Sequence, residues 1–335
     1  MINIILIGAG KLGSRHLQAL AKIGIESNIY VIDPSVESSE IAFARYNEIP
    51  QNYNVKHLEF LKNIGDLRIK TVDVAIIATS SEHRFFVLNA LLNHVRVNFL
   101  ILEKFLFQKA NHYQEAKELL LKHKVKTWVN CPRRMWPIYQ DLKKDLVNST
   151  IREFTLIGSD WSLATSSIHI LDLIAFLTGC SEYNLLDLDL GNKFVPAYSS
   201  VTGARESKFI EFYGTIRGKF VNETYFTLQC LKDAQIPFQI DIILDDKNIH
   251  IFEEYGKLVI MKIEKDGTIS NSEFSFSYPY QSGLTQLVVE NLINNGECSL
   301  TQFDESVSLH LPLLFQFQQY LSTIQQNEVD YLPIT

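Results

Sequence analysis

The chain has 335 residues, 46% of them hydrophobic and 21% charged, the composition of an ordered protein and not of a disordered tail. Its 31 Lys and Arg against 38 Asp and Glu give a net charge of −7, without the basic footprint expected of a nucleic-acid surface. This length favours two domains over one. The first 130 residues alternate short apolar strands with helices. Residues 4–7 form a continuous apolar run, as in a strand covered on both faces, and Leu17, Leu20 and Ile23 mark a helix over 16–23. Further strands are expected at 29–32, 72–78, 99–103 and 127–130, the last after a charged helix over 110–124. Strands separated by helices imply right-handed crossovers and a mostly parallel sheet.

After Pro132 the pattern changes to a helix over 137–146, a strand over 151–158 and a helix over 166–177. From about 184 to 278, alternating segments such as KFIEFYGTI, GKFVNETYFTLQC, FQIDIILDD and GKLVIMKIEKDG predict a long antiparallel sheet. Helical periodicity returns over 281–323. The expected architecture is an α/β Rossmann domain with a parallel sheet over 1–130. An α+β domain with a large, mostly antiparallel sheet follows over 131–335, with a carboxy-terminal helical return.

Cys131, Cys180, Cys230 and Cys298 are far apart and read as four buried free thiols in a reducing compartment. The opening MINIILIGAG has no basic leader, and no apolar run reaches the roughly 20 residues that span a bilayer. A cytoplasmic location without membrane attachment is expected. No clustered carboxylates and no Cys/His spacing call for a catalytic metal.

GAGKLG places Gly8, Gly10 and Gly13 between the first strand and the first helix, around Lys11 and Leu12. Gly8 permits a tight turn, Gly10 lets a pyrophosphate approach the backbone, and Gly13 lets the helix pack near the sheet. Asp33, twenty residues after Gly13, ends the second strand, where a carboxylate accepts from both ribose hydroxyls and repels a 2′-phosphate. NAD is therefore the expected cofactor. Thr79 and Ser80 end a later strand on the path of such a cofactor, although residues of this kind also cap helices.

The chain resembles the Gfo/Idh/MocA oxidoreductases, the glucose–fructose oxidoreductase and inositol dehydrogenase family. The resemblance runs through GAGKLGSRHLQAL, IIATSSEHR, LEKF at 102–105, VNCPRR at 129–134, SIHILDLIAFLTG at 167–179 and KFIEFYGTIRG at 208–218. It implies that Lys104 orients the reacting hydroxyl and that Glu103 and His83 stand on the cofactor side. The family's usual proline after this lysine, often in a cis-containing turn, is Phe105 here. His169 and Asp172 match the helix motif Asp-x-Gly-x-His-x-x-Asp, with either His169 or Lys104 itself as proton acceptor, but Thr165 stands where its first Asp would be and Ser167 replaces its glycine. The hydroxyl of Thr165 can hydrogen-bond substrate or relay a proton. Asn130, with Arg133 or Arg134, matches a polar and basic pair that could grip an anionic substrate group, or form an inter-domain salt bridge. Trp161 and Trp136 offer a flat wall to a sugar or ordinary core packing. His16 and His310 read as structural.

The resemblance implies NAD-dependent oxidation or reduction of a hydroxyl on a sugar, cyclitol, sugar acid or nucleotide sugar. A non-catalytic NAD-binding regulatory or assembly protein is the alternative, and a reaction that retains the cofactor is a third. Partners implied are a small carbohydrate-like substrate and a second copy of the chain, as dimer or tetramer.

Overall fold

A computed structural model describes residues 1–191, 195, 196, 198, 199, 203, 204, 209–264 and 266–335. Lys208, which opens KFIEFYGTI, and Lys265, in GKLVIMKIEKDG, lie outside the described residues. In chain order the first elements are β1 (Ile2–Ile7), α1 (Gly13–Leu20), β2 (Ser27–Ile32), α2 (Val36–Tyr46) and β3 (Val55–Leu61). They continue with β4 (Thr71–Ile77), α3 (Ser81–His94), β5 (Arg96–Leu102), α4 (Ala110–His123) and β6 (Lys126–Val129). Next come α5 (Pro137–Asp145), β7 (Ile151–Ser159), α6 (Leu163–Thr178) and β8 (Tyr183–Asp189). Short strands follow at β9 (Val195–Pro196), β10 (Tyr198–Ser199), β11 (Gly203–Ala204) and β12 (Ile210–Glu211). Then come β13 (Gly214–Phe220), β14 (Tyr225–Leu231), β15 (Gln239–Leu244), β16 (Lys247–Phe252), β17 (Lys257–Ile263) and β18 (Ile269–Ser275). The chain closes with α7 (Thr285–Asn295), β19 (Thr301–Gln302) and α8 (Phe303–Gln325).

Two compact units divide these elements: 1–135 with 279–304 and Thr335, and 136–278 with 305–334. The sheet of the first has the order β19-β6-β5-β4-β1-β2-β3. All its pairs are parallel except β19 on β6. The order reverses beside β1, the doubly wound arrangement that leaves a crevice outside the carboxyl ends of the strands. Ile4, Leu6, Ile29, Val31, Val74 and Ile76 are wholly buried, as parallel strands covered on both faces must be. Leu17 and Leu20 of α1 and Val288, Val289 and Leu292 of α7 join the same core cluster.

The second unit is built on an eight-stranded sheet, β18-β17-β16-β15-β7-β14-β13-β8. Its pairs are antiparallel except β14 on β7. Buried and open positions alternate along β14 and β15, placing Phe226, Leu228, Cys230, Ile240 and Ile242 on the covered face, where α6 packs over β14. The mixed α/β and α+β architecture agrees with the sequence expectation.

Three differences from the sequence reading have local causes. β3 carries half-exposed VKHLEFL at the sheet edge, and its charged residues hide the strand pattern. α6 starts at Leu163, ahead of the first residue its apolar stripe marks, because its start is capped by a carboxylate distant in sequence. Of the four free thiols, Cys131 and Cys230 are buried but Cys180 and Cys298 are only partly so. Those two sit in connections after α6 and α7, and connections run over surfaces. Burial still pushes the Cys230 and Cys298 thiols up to about 12.

Candidate functional site

Glycine geometry shapes the loop after β1. Gly8 has φ +94°, and a Cβ there would meet the Ala78 carbonyl carbon at 2.9 Å. A Cβ on Gly13 would fall 1.8 Å from the Gly8 carbonyl oxygen, so α1 can begin this close to the turn only with glycine. At Gly10 a Cβ would meet nothing within 4 Å. The space beside Gly10 is thus open where a pyrophosphate would lie. Ser14 N donates to Gly10 O at 2.8 Å and Arg15 N to Leu12 O at 2.9 Å, so the loop runs directly into α1, whose positive end suits an anion. Arg45 donates to Lys11 O at 3.1 Å and to the Ser14 hydroxyl, tying α2 to the loop.

Asp33 follows β2 and holds the loop from the other side. Its Oδ2 accepts from Ala9 N at 2.6 Å and its Oδ1 from Ser35 N at 2.8 Å. A carboxylate offers about four acceptor positions, so two remain for ribose hydroxyls. Asp33 also edges a cavity of about 320 Å³ walled by Val36, Phe43, Phe60 and Leu61, with Lys62 at its margin. Flat apolar walls beside a ribose-binding carboxylate suit an adenine ring. Thr79, after β4, has a hydroxyl that is buried with no hydrogen-bond partner among the described residues. That atom and the open Gly10 face are what a bound dinucleotide would satisfy and fill.

The turn after β5 is anchored from beneath. The Lys104–Phe105 peptide is cis, as in the turn the resemblance implies, although Phe stands in place of proline. Lys104 is half-buried between Glu103 and Phe105, both buried. Arg84 of α3, 1% exposed, donates to Leu106 O at 2.9 Å and to the carbonyls of Phe105 and Thr79. One guanidinium therefore fixes the Lys104 turn to the end of β4. Burial draws it down to about 10, against the favourable charge of Glu103.

Glu103 points into a polar core. Its Oε1 lies 2.9 Å from His16 Nε2 and accepts from Asn130 Nδ2 at 2.6 Å. A carboxylate only accepts, so His16 Nε2 carries the proton; its Nδ1 lies 2.9 Å from the Thr285 hydroxyl. Asn130 also donates to Gln281 at 2.9 Å, and Gln281 donates to Thr285 at 2.9 Å, closing the network. Burial would raise the Glu103 carboxyl, but the hydrogen bonds from His16 and Asn130 and the charge of Arg84 hold it below its ordinary value. Asn130 Nδ2 and Glu103 Oε1 thus hold this network together beneath the turn. His83 is exposed, 3.5 Å from Glu82, as are Lys11 and Leu12. Arg134 is buried and Arg133 half-buried on the short turn Pro132–Met135.

In the second unit, α6 carries Thr165, His169 and Asp172. Thr165 and Asp172 are buried and His169 is half-buried. Residues four apart share a helix face, so Thr165 and His169 lie one turn apart on one side. Trp161 donates from Nε1 to Gln229 O at 2.8 Å and meets Phe238 edge-on at 6.1 Å. Trp136 stacks on Tyr278 at 4.4 Å.

Residues 2–131 match the family model described as "Oxidoreductase family, NAD-binding Rossmann fold", that of Gfo/Idh/MocA. Residues 2–131 are thus a NAD-binding Rossmann domain of the kind found in the Gfo/Idh/MocA oxidoreductases. Structures of the same fold include UDP-N-acetylglucosamine 3-dehydrogenase of Acidithiobacillus ferrooxidans, with TM-score 0.68, 15% identity, and 94% of this chain and 96% of that one covered. The scyllo-inositol dehydrogenase of Lactobacillus casei with bound NAD(H) and scyllo-inositol gives TM-score 0.65 and 14% identity over 94% and 95% of the two chains. A super-repressor mutant of Gal80p from Saccharomyces cerevisiae gives 0.73 and 13% identity over 96% and 97%. No curated protein sequence matches the chain. At these identities the structural likenesses establish the fold.

The chain is an oxidoreductase that takes NAD as its cofactor. Gly8 to Gly13, Asp33, Thr79 and Lys104 all follow the carboxyl ends of β1, β2, β4 and β5, the edge where open α/β sheets bind ligands. Sequence reasoning gave no role to Arg84, whose signal was a lone basic residue on the buried face of a helix, one turn from its start. It also passed over Glu211, which lies on a two-residue strand and shares no sequence motif with α6. No helix of the described residues is long and apolar enough to cross a membrane.

Proposed function

We propose that this oxidoreductase oxidises or reduces a hydroxyl on a sugar, cyclitol, sugar acid or nucleotide sugar. The observation that carries the reading is the placement of Lys104 on the same strand-end edge as the glycine loop and Asp33. In that frame Gly10 and the amides opening α1 hold the pyrophosphate, Asp33 holds the ribose, and Thr79 faces the cofactor. When bound, NAD supplies the hydride acceptor. An ammonium at Lys104 orients the alcohol and stabilises developing negative charge on its oxygen, while His169 takes the hydroxyl proton. Arg133 and Arg134 favour an anionic group on the substrate. The dehydrogenases of similar fold act on a nucleotide sugar and bind a cyclitol, which supports this substrate class.

The test is a panel of polyols, aldoses, sugar acids and nucleotide sugars, read by reduced-nicotinamide absorbance and by isotope exchange at the carbinol carbon. The exchange arm detects a reaction that retains its cofactor. Tight NAD binding with neither signal across the panel would replace this reading with a non-catalytic regulatory or assembly role; a transcriptional regulator, Gal80p, has the same fold.

A homo-oligomer, dimer or tetramer, is proposed as well. Support comes from the alternation of β14 and β15, which leaves Tyr225 and Ile243 on the face of the sheet away from α6. Light scattering over a dilution series should find more than the monomer mass at every concentration.

A further inference from the structure

β4 and β5 run parallel to β1, so their amino ends lie at the edge of the first unit's sheet opposite the glycine loop. A hollow of about 620 Å³ opens there, between the segment 67–70 that leads into β4 and the turn from α3 into β5. Arg68 and Lys70 line it from the first segment, His94 and Arg96 from the second, and His123 from the end of α4. None of its described lining residues is acidic. The two segments are cross-tied. Arg96 N donates to Lys70 O at 3.2 Å, and His94 Nε2 lies 3.2 Å from Leu67 O, to which it can only donate.

Elsewhere on this chain exposed cations meet carboxylates, as Lys56 meets Glu26, Arg152 meets Asp245 and Arg217 meets Asp187. Arg68, Lys70 and Arg96 form no ion pair among the described residues. The acids nearest in sequence to Arg68 and Lys70 serve other donors: Asp66 accepts from Asn63 N at 3.0 Å and Asp73 from Asn3 N at 2.8 Å. His94 and His123 end α3 and α4, where basic residues ordinarily complement the helix carbonyls. The other three belong to no helix, so that explanation does not reach them. Their three fixed charges also exceed the roughly half negative charge that each helix end presents. His123 adds a ring nitrogen, Nε2, that is buried with no hydrogen-bond partner among the described residues.

We propose that this hollow binds a small molecule carrying at least two phosphate groups, at a site separate from that of the cofactor. Guanidinium groups grip phosphate in two-point geometry, and Lys70 adds a point charge. One phosphate ester carries about −1.5 to −2 at neutral pH, so a single one would leave a cation unmatched. The volume suits a small molecule, whose pockets span about 300–1,000 Å³. A nucleic acid calls for basic residues along a whole face, and this chain has a net charge of −7. At about 3.3 Å per residue, β4 sets the hollow roughly 20 Å from the sheet edge that carries Thr79. A dinucleotide on the glycine loop leaves it free.

The experiment titrates inorganic tripolyphosphate into the full chain, calorimetrically, at physiological salt and with NAD saturating so that the cofactor's own phosphate site is filled. One equivalent should bind, at least tenfold tighter than orthophosphate. Arg68→Ser and Arg96→Ser should each weaken it about tenfold, and the pair about a hundredfold. Arg152→Ser, an equal loss of charge on the second unit, should leave it within twofold. NAD affinity of the paired variant should stay within twofold of wild type, which shows both that it folds and that the sites are separate; if the pair melts early, the single variants decide. Absence of binding, or binding that survives the paired variant, overturns the proposal. Binding seen only without NAD places the probe on the glycine loop and overturns it too. Displacement by equimolar sulfate would mean an adventitious ion only. A twenty-nucleotide single-stranded RNA that binds tenfold tighter than tripolyphosphate through the same arginines would replace the small molecule with a nucleic acid.

Discussion

Asp33 accepts from Ala9 N and Ser35 N, so it builds the glycine loop, and in the proposed function it holds the ribose as well. Asp33→Ala should therefore weaken NAD binding by about 1.5–3 kcal/mol for the lost charge-assisted contact. NADP should lose less, since the repulsion of its 2′-phosphate goes too and Lys62 stands at the edge of the same cavity. Calorimetric titration of both coenzymes at one salt concentration measures the ratio. An unchanged ratio would move selectivity away from Asp33. Glu103 gives a second prediction at this scale. Its carboxyl lies below the ordinary 4.5, so the unfolded chain binds the proton more tightly. The stability this contributes is complete above about 4.5 and is lost as pH falls through the lower folded value. Glu103→Gln should flatten that acid-side loss. At neutral pH it should cost about 3 kcal/mol, because His16 and Arg84 lose their buried partner. Urea unfolding at pH 7 and below 4 provides both readings.

The turn between β1 and α1 separates folding from binding within one element. Gly13→Ala would place a methyl 1.8 Å from the Gly8 carbonyl oxygen, so α1 must shift on its sheet. Overpacking of this kind costs at least about 1–3 kcal/mol, and the melting temperature without ligand should drop. Gly10→Ala adds a methyl into open space and should leave that melting temperature unchanged, yet it should abolish NAD binding. A Gly10→Ala protein that binds NAD normally would show that the pyrophosphate does not pass there. Much of this element was legible, because GAGKLG between an apolar run and a helix pattern has few other uses. The support of the Lys104 turn was not. Arg84 holds it through main-chain carbonyls, which have no residue identity and leave no mark in a sequence.

At the scale of the molecule, each compact unit has its own sheet and its own buried face. Unfolding should show two calorimetric steps. NAD should raise only the step of the unit holding the glycine loop, by about 2.7 kcal/mol at a hundredfold excess over Kd. A uniform shift of both steps would show that the units unfold together. The sequence by itself determined the alternation of strand and helix, the glycine loop, the acid after β2 and the aromatic antiparallel region. These depend on periodicity and on short-range turn chemistry, which neighbouring residues encode. Tertiary structure alone decided which distant groups meet. Thr285 reaches His16 across 269 positions, and Glu211 reaches Thr165 across 46. Such pairings come from how sheets and helices close on one another. A buried donor needs an acceptor but does not specify where in the chain it comes from.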